Sequence, residues 1–269
     1  LKKIGIMQGR LAPPEAGRFQ SFPRTQWREE FARAAEVGLD YIEWIYDGYG
    51  ADINPLMTDD GIRELQALMQ TNGVAIPSLC ADFFMERPLV RDAAAREFLR
   101  ELLPRCKAIG VQRIVLPFVD NSEIKPDEVE AAVAVVREAA GWAGEAGIEL
   151  HLESSLPPRA FAALLSRLPA AIVKVNYDSG NSSSLGYVPA EEFAAYGDRL
   201  GSVHIKDRVL AGGTVPLGCG SADFKSLFSE LRRISYAGDF TLQVARGEAG
   251  KEVEWTRGNL EWFHRYWAA

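Results

Sequence analysis

A single (β/α)8 TIM barrel is the fold class that the sequence predicts, and three observations predict it. Short apolar runs rich in β-branched residues alternate with longer amphipathic stretches. Several of those stretches stop at a glycine just before the next apolar run, the expected helix C-terminal position. The alternation supplies eight strand–helix units in 269 residues, the usual size of such a barrel, and no linker or low-complexity stretch divides residues 1–269 into a second domain.

The elements follow in order. "KKIGIMQ" is the first strand, and "AAEVGLD" ends the first helix at Gly38 before the second strand, "YIEWIYD". "VAIPSLCAD" is the third. "DAAAREFLRELLPRCKAIG" carries charges on one face and Ala and Leu on the other, which predicts a helix that stops at Gly110 before the fourth strand, "RIVLPFVD". "PDEVEAAVAVVREAAGWAGEAG" repeats the pattern and stops at Gly147 before "IELHLES". "IVKVNYD", "GSVHIKD" and "DFTLQVA" are the sixth to eighth strands. A doubly wound dinucleotide-binding sheet would carry GxGxxG after its first strand; the nearest match here, "GIMQGR", has the wrong spacing.

Composition narrows the partners. The formal net charge of −7 and pI near 5.2 argue against nucleic acid and anionic membranes, both of which need a positive field, and favour a small molecule. Cys80, Cys106 and Cys219 fit neither a disulfide framework nor a CxxC metal pattern, which suggests a reducing compartment. No apolar run approaches the roughly 20 residues that cross a bilayer, and "LKKIGIMQGR" has no secretory core, so the expected location is cytoplasmic.

Barrel active sites gather at the C-terminal ends of the strands, and polar residues concentrate there. They are Gln8 and Arg10, Glu43 and Asp47, Asp82, Asp120, Glu153, Asp178 and Asn181, His204 and Asp207, then Gln243 and Arg246. Asp82, Asp120 and Asp207 each also suit the cap of a following helix, the simpler reading for any one of them. Glu153, Asp178, His204 and Gln243 stand apart, because they sit near the ends of four consecutive strands in apolar settings. Adjacent strands lie about 4.8 Å apart, so four side chains at one level of a closed barrel can converge. Two carboxylates, an imidazole and an amide oxygen suit Mn²⁺, Co²⁺, Mg²⁺ or Zn²⁺, and two buried carboxylates without a cation cost several kcal/mol. Each also has a plain alternative, His204 as a hydrogen-bonded core histidine and Gln243 as a partner for the backbone.

The order Glu153, then "YDSGN", then "HIKD", then Gln243 resembles the xylose isomerase-like barrel superfamily over nearly the whole chain. That superfamily holds sugar and sugar-phosphate isomerases and epimerases, dehydratases, and a type of AP endonuclease. "MQGRL" and "VPLGCGSADF" resemble its sugar isomerase and epimerase branch. The resemblance implies one divalent ion, often Mn²⁺, held by Glu153, Asp178, His204 and Gln243, with Asn181 where the family often has a substrate-contacting histidine. The endonuclease type uses a three-zinc cluster fed by many histidines, whereas this chain has only His151, His204 and His264. His151 shares a strand face with Glu149 and Glu153 by alternation, below the expected site.

Gln243 departs from the related ketose 3-epimerases, where a glutamate stands and two glutamates act as bases. An amide can ligate a metal but takes no proton at neutral pH. One base and one metal remain: Glu153 as base, with His204 and Lys206 in the catalytic set. The expected reaction is isomerisation or epimerisation of a sugar or sugar phosphate through an enediolate. The alternatives are dehydration of a keto-sugar or inosose with Lys206 or Asp207 as acid, or a barrel that binds sugar and metal without turnover. Arg10, Arg159, Arg208 and Arg246 fall in loops on the active-site side, and "DRVLAGGTVPLGCG" is glycine-rich, as an anionic substrate would need. Arg10, Glu43, Asn181, Arg208 and Arg246 are the expected substrate contacts. Trp44, Tyr46, Phe83 and Phe84 suit either a wall against a sugar face or simple loop packing. Trp255, Trp262, Phe263, Tyr266 and Trp267 are more aromatics than one packing stripe needs and suggest a homo-oligomer interface.

Overall fold

The computed structural model describes residues 2–268. Eight parallel strands close into a barrel. They are β1 (Ile4–Met7), β2 (Tyr41–Ile45), β3 (Ala75–Cys80), β4 (Arg113–Phe118), β5 (Glu149–Ser154), β6 (Val173–Asp178) and β7 (Leu200–Ile205), and after a small antiparallel hairpin of β8 (Asp207–Arg208) and β9 (Thr214–Val215), the closing strand β10 (Phe240–Leu242). β10 pairs with β1 and with β7, so the sheet has no free edge.

Alternation divides the strands into two faces. Ile42, Trp44, Leu150, Leu152, Val203, Ile205, Phe240 and Leu242 are all buried in the apolar layer under the helices. That layer supplies the main stabilisation, at roughly 1.5–3 kcal/mol for each large side chain removed from water. The other face fills the barrel interior with polar groups, among them Glu43, Ser78, His151, Asn176, Ser202, His204 and Thr241, each buried.

The helices end where glycine was expected to end them. Gly38, Gly110 and Gly147 are left-handed, with φ of 85°, 85° and 72°. The Gly38 N–H donates to the carbonyls of Ala34 and Ala35, closing the helix Glu29–Val37 before β2. Most aromatic residues named above turn out to pack. Trp44 lies within β2 and is fully buried against Phe22, Trp27 and Phe31. Tyr46 and Phe83 pack around Phe98. In the terminal helix Glu252–Ala268, Phe263 packs on Phe228 and Phe240, and Trp262 stacks on Tyr266, which is half exposed.

Three strand-end expectations need correction. Glu43 lies inside β2, which continues to Ile45, because the alternation of "YIEWI" carries on past it. β10 ends at Leu242, so Gln243 is the first residue beyond it, although its N–H still donates to the Ile205 carbonyl. Asp82 occupies the N-cap position of the short helix Phe83–Glu86 but its carboxylate makes no capping bond, and Asp207 lies in β8, which is followed by β9 and not by a helix. The Asp207 carboxylate instead accepts the N–H groups of Gly218, Gly220 and Ala222 and so shapes the glycine-rich loop after β7.

Candidate metal centre

Glu153 on β5, Asp178 at the end of β6 and His204 on β7 are brought together by strand register. Asp178 pairs directly with His204, and one ligand atom from each of the three residues lies within 4.8 Å of the others. His204 Nδ1 is 3.5 Å from Glu153 Oε2 and 3.8 Å from Asp178 Oδ2. It is fully buried and has no hydrogen-bond partner. The same is true of Gln243 Oε1, whose residue lines the same cavity. Buried polar atoms almost always find partners. The Glu153 and Asp178 carboxylates, the Nδ1 lone pair that His204 offers once deprotonated, and an amide oxygen in the same cavity fit a divalent cation bound through mixed nitrogen and oxygen ligands.

Each member is held from behind. Glu43 Oε1 lies 2.7 Å from His204 Nε2, and Ser78 Oγ donates to Glu43 Oε2 at 2.5 Å. The Glu43 charge against the far nitrogen holds the imidazole electrostatically, with Nδ1 on the side of Glu153 and Asp178. Glu43 is thus wholly buried behind His204 and does not line the cavity where a substrate contact was expected. Asp178 divides its oxygens. Oδ1 accepts the Asn181 N–H and caps the short helix Ser179–Ser184, while Oδ2 faces His204 and lies 3.4 Å from Lys206 Nζ. Glu153 Oε1 accepts from Asn181 Nδ2 at 2.5 Å and Oε2 from Asn176 Nδ2 at 2.8 Å.

The electrostatics follow from burial and crowding. Burial, with the Asp178 charge beside it, lifts the Glu153 carboxyl to about 7. Burial opposes charge on His204, but Glu43, Asp178 and Glu153 outweigh it and raise the imidazole to about 10. Burial likewise disfavours the Asp178 carboxylate, but Lys206 and His204 overcome this and lower it to about 2. A protonated His204 is therefore the cluster's internal cation when no metal is bound.

The centre opens into a cavity of about 600 Å³ at the C-terminal mouth of the barrel. Lys206, Asn181 and Arg208 line it as one linked group, since Asn181 Oδ1 accepts from Lys206 Nζ at 3.2 Å and from Arg208 Nη1 at 2.8 Å. Gly180 makes room for the lysine; a Cβ there would lie 2.6 Å from Lys206 Cγ. Arg10 and Arg246 are placed otherwise than expected and do not line the cavity. Arg10 Nε donates to the Val244 carbonyl, and Arg246 donates to the carbonyls of Phe19, Gly9 and Ala12, so both brace the loop after β1. Arg159 is exposed and also lies off the cavity.

Sequence reasoning missed several residues. Arg18, Phe19 and Gln20 line the cavity from a loop with no periodicity to reveal them. Asn176 and Ser202 were within reach, because each lies two residues before a quartet member and so shares its face. They extend the polar interior downward. Ser202 Oγ donates to Asn176 Oδ1 at 2.6 Å and lies 2.7 Å from His151 Nδ1, whose Nε2 is 2.9 Å from Glu149 Oε2.

Comparison with known proteins points the same way. Residues 31–266 match the model of the xylose isomerase-like TIM barrel family. A relative from Escherichia coli (strain K12), named "Putative L-ribulose-5-phosphate 3-epimerase SgbU", is 28% identical over 250 residues, covering 84% of this chain and 86% of the relative. Among solved structures, an L-ribulose 3-epimerase superposes with a TM-score of 0.76 at 17% identity, covering 100% of this chain and 95% of that one. The IolI protein with a bound zinc atom superposes with a TM-score of 0.77 at 18% identity, covering 99% and 100%.

Proposed function

Since this chain belongs to the xylose isomerase-like TIM barrel family, we propose that it is a divalent-metal-dependent isomerase or epimerase acting on a sugar phosphate. The observation that carries the reading is the buried cluster of Glu153, Asp178 and His204, whose ligand atoms lie within 4.8 Å of one another, with the unpartnered Gln243 Oε1 on a residue of the same cavity. Glu153, Asp178, His204 and Gln243 would hold the ion, with Mn²⁺ our choice for this oxygen-rich set. The bound ion would polarise a substrate carbonyl and stabilise the enediolate that proton loss creates.

The protein's own residues do the rest. Glu153 is the base on the carbon beside the carbonyl, and the donors Asn176 and Asn181 keep its carboxylate at the mouth of the cavity. Lys206 and Arg208, bridged by Asn181, form a cationic edge for substrate hydroxyls or a phosphate, and Arg18 lines the same cavity. Sugar phosphates as substrates are supported by that edge and by the phosphorylated substrate in the relative's name. Gln243 accepts no proton, so the chemistry we favour returns the proton taken by Glu153 to the neighbouring carbon on the same face. A second reading, β-elimination of a hydroxyl with Lys206 as acid, is favoured by the position of Nζ at the cavity beside Asp178. Three free cysteines suit the cytoplasm, where we place the enzyme. Among the described residues, no helix is long and apolar enough to cross a membrane.

The test begins with elemental analysis of protein purified without chelator and again after incubation with metals, with Asp178→Ala alongside. About one ion per chain, lost in the variant, is the expected result. Pentulose and hexulose phosphates and their unphosphorylated forms are then incubated with enzyme in D2O. Deuterium at a carbon next to the carbonyl supports isomerisation or epimerisation, and loss of a hydroxyl supports elimination. A wild type that binds no added metal sinks the reading.

A further inference from the structure

The amide of Gln243 does not choose its own orientation. Its Nε2 donates to Gln20 Oε1 at 3.0 Å, which leaves Oε1 buried and unpartnered. Gln20 Oε1 also accepts from Arg10 Nη2 at 3.0 Å, while Gln20 Nε2 donates to Asp82 Oδ2 at 2.7 Å. Arg10 is buried and offers only donors, so the atom of Gln20 that faces it must be the oxygen. That oxygen in turn demands a donor from position 243. The polarity therefore runs one way, from Arg10 through Gln20 to Gln243, and leaves a buried, unpartnered carbonyl oxygen on a residue that lines the same cavity as Glu153.

We propose that Gln20 is a positioning residue that fixes the Gln243 carbonyl toward the bound ion, and that the Arg10–Gln20 pair makes this site specific for an amide at position 243. The proposal rests on the metal reading and deepens it. A glutamate at 243 would set a carboxylate oxygen about 3 Å from Gln20 Oε1, with no hydrogen to share. Gln20 cannot turn its amide to help, because its N–H group would then face the guanidinium of Arg10. The glutamine is thus supported by its surroundings, and the site is organised for a single carboxylate base.

The test compares wild type, Gln20→Met, Gln243→Glu and the double variant. Mn²⁺ affinity is measured by calorimetry without substrate, and thermal stability is measured on the metal-free proteins. Gln20→Met is expected to weaken Mn²⁺ binding about tenfold, the low end for loss of a group that orients a ligand. Gln243→Glu is expected to lower the metal-free melting temperature when Gln20 is present and to leave it unchanged in the Gln20→Met background. Its effect on Mn²⁺ affinity should also be at least about threefold more favourable in that background than in the wild type. A wild type that binds Mn²⁺ while Gln20→Met binds it within twofold as well overturns the positioning role. Additive effects in both cycles overturn the amide specificity. A wild type that binds no Mn²⁺ refutes the metal reading instead, and the metal-free stability cycle still judges the lock.

Discussion

Metal uptake should expel a proton. Without metal, His204 is held at about 10 and Glu153 at about 7. A metal on Nδ1 requires that nitrogen to lose its hydrogen, while Nε2 keeps the one that faces Glu43. At pH 8 nearly every His204 carries the proton to be lost, so about one proton leaves for each ion bound. Toward lower pH the raised Glu153 carboxyl also carries a proton, and the count rises. Protons compete with the ion, so apparent affinity rises with pH. The slope is about tenfold per unit between pH 8 and 9 and flattens above about 10. At pH 8 the competition at His204 alone weakens binding about 100-fold relative to a neutral ring. Calorimetric titration of Mn²⁺ in buffers of different ionisation enthalpy counts the protons directly. Glu43→Gln removes the charge that most supports the imidazolium, and the count at pH 8 should fall. Fewer than about 0.3 protons released at pH 8, or an affinity that does not change from pH 7 to 9, would refute the reasoning.

Further outcomes follow from other contacts. Glu153→Gln keeps an oxygen for the ion but removes the base, so metal should still bind while turnover drops by about 10²–10⁴, as read by elemental analysis and by exchange in D2O. Asn176→Leu removes the donor to Glu153 Oε2 and the acceptor of the Ser202 hydroxyl, which keeps only His151, and should cost about 1–3 kcal/mol in urea unfolding. Asp207→Ala strips the acceptors from three backbone N–H groups, and hydrogen exchange at Gly218, Gly220 and Ala222 should quicken while the barrel strands stay protected.

The barrel and the Glu–Asp–His cluster were legible for the same reason. Period-2 alternation sets which side chains face inward, and glycine punctuation sets where the strands begin, so Glu153, Asp178 and His204 could be placed at one level without coordinates. Glu43 shows the limit of that logic: alternation gives the face, but the depth along a strand depends on where pairing stops, and β2 runs two residues past it. Arg10 and Arg246 show another. A loop arginine can point to substrate or grip carbonyls, and only the path of the chain between β1 and the first long helix decides. Gln20 lies in that same stretch, where no periodic pattern marks its role.

The polar column inside the barrel bears on how the strands find their alignment. A strand displaced by one residue turns its apolar side chains inward, and the helix layer rejects it. A displacement by two keeps every side chain on its proper face and would satisfy that layer almost as well. The chain of contacts from Glu153 through Asn176 and Ser202 to His151 and Glu149 discriminates here, because it joins three strands at defined heights. Sliding β6 by one pleat would set Asn176 or its replacement against the wrong neighbours and strand several polar groups at once. The interior thus works as a vernier, whose fine divisions select one alignment among those the apolar layer would accept.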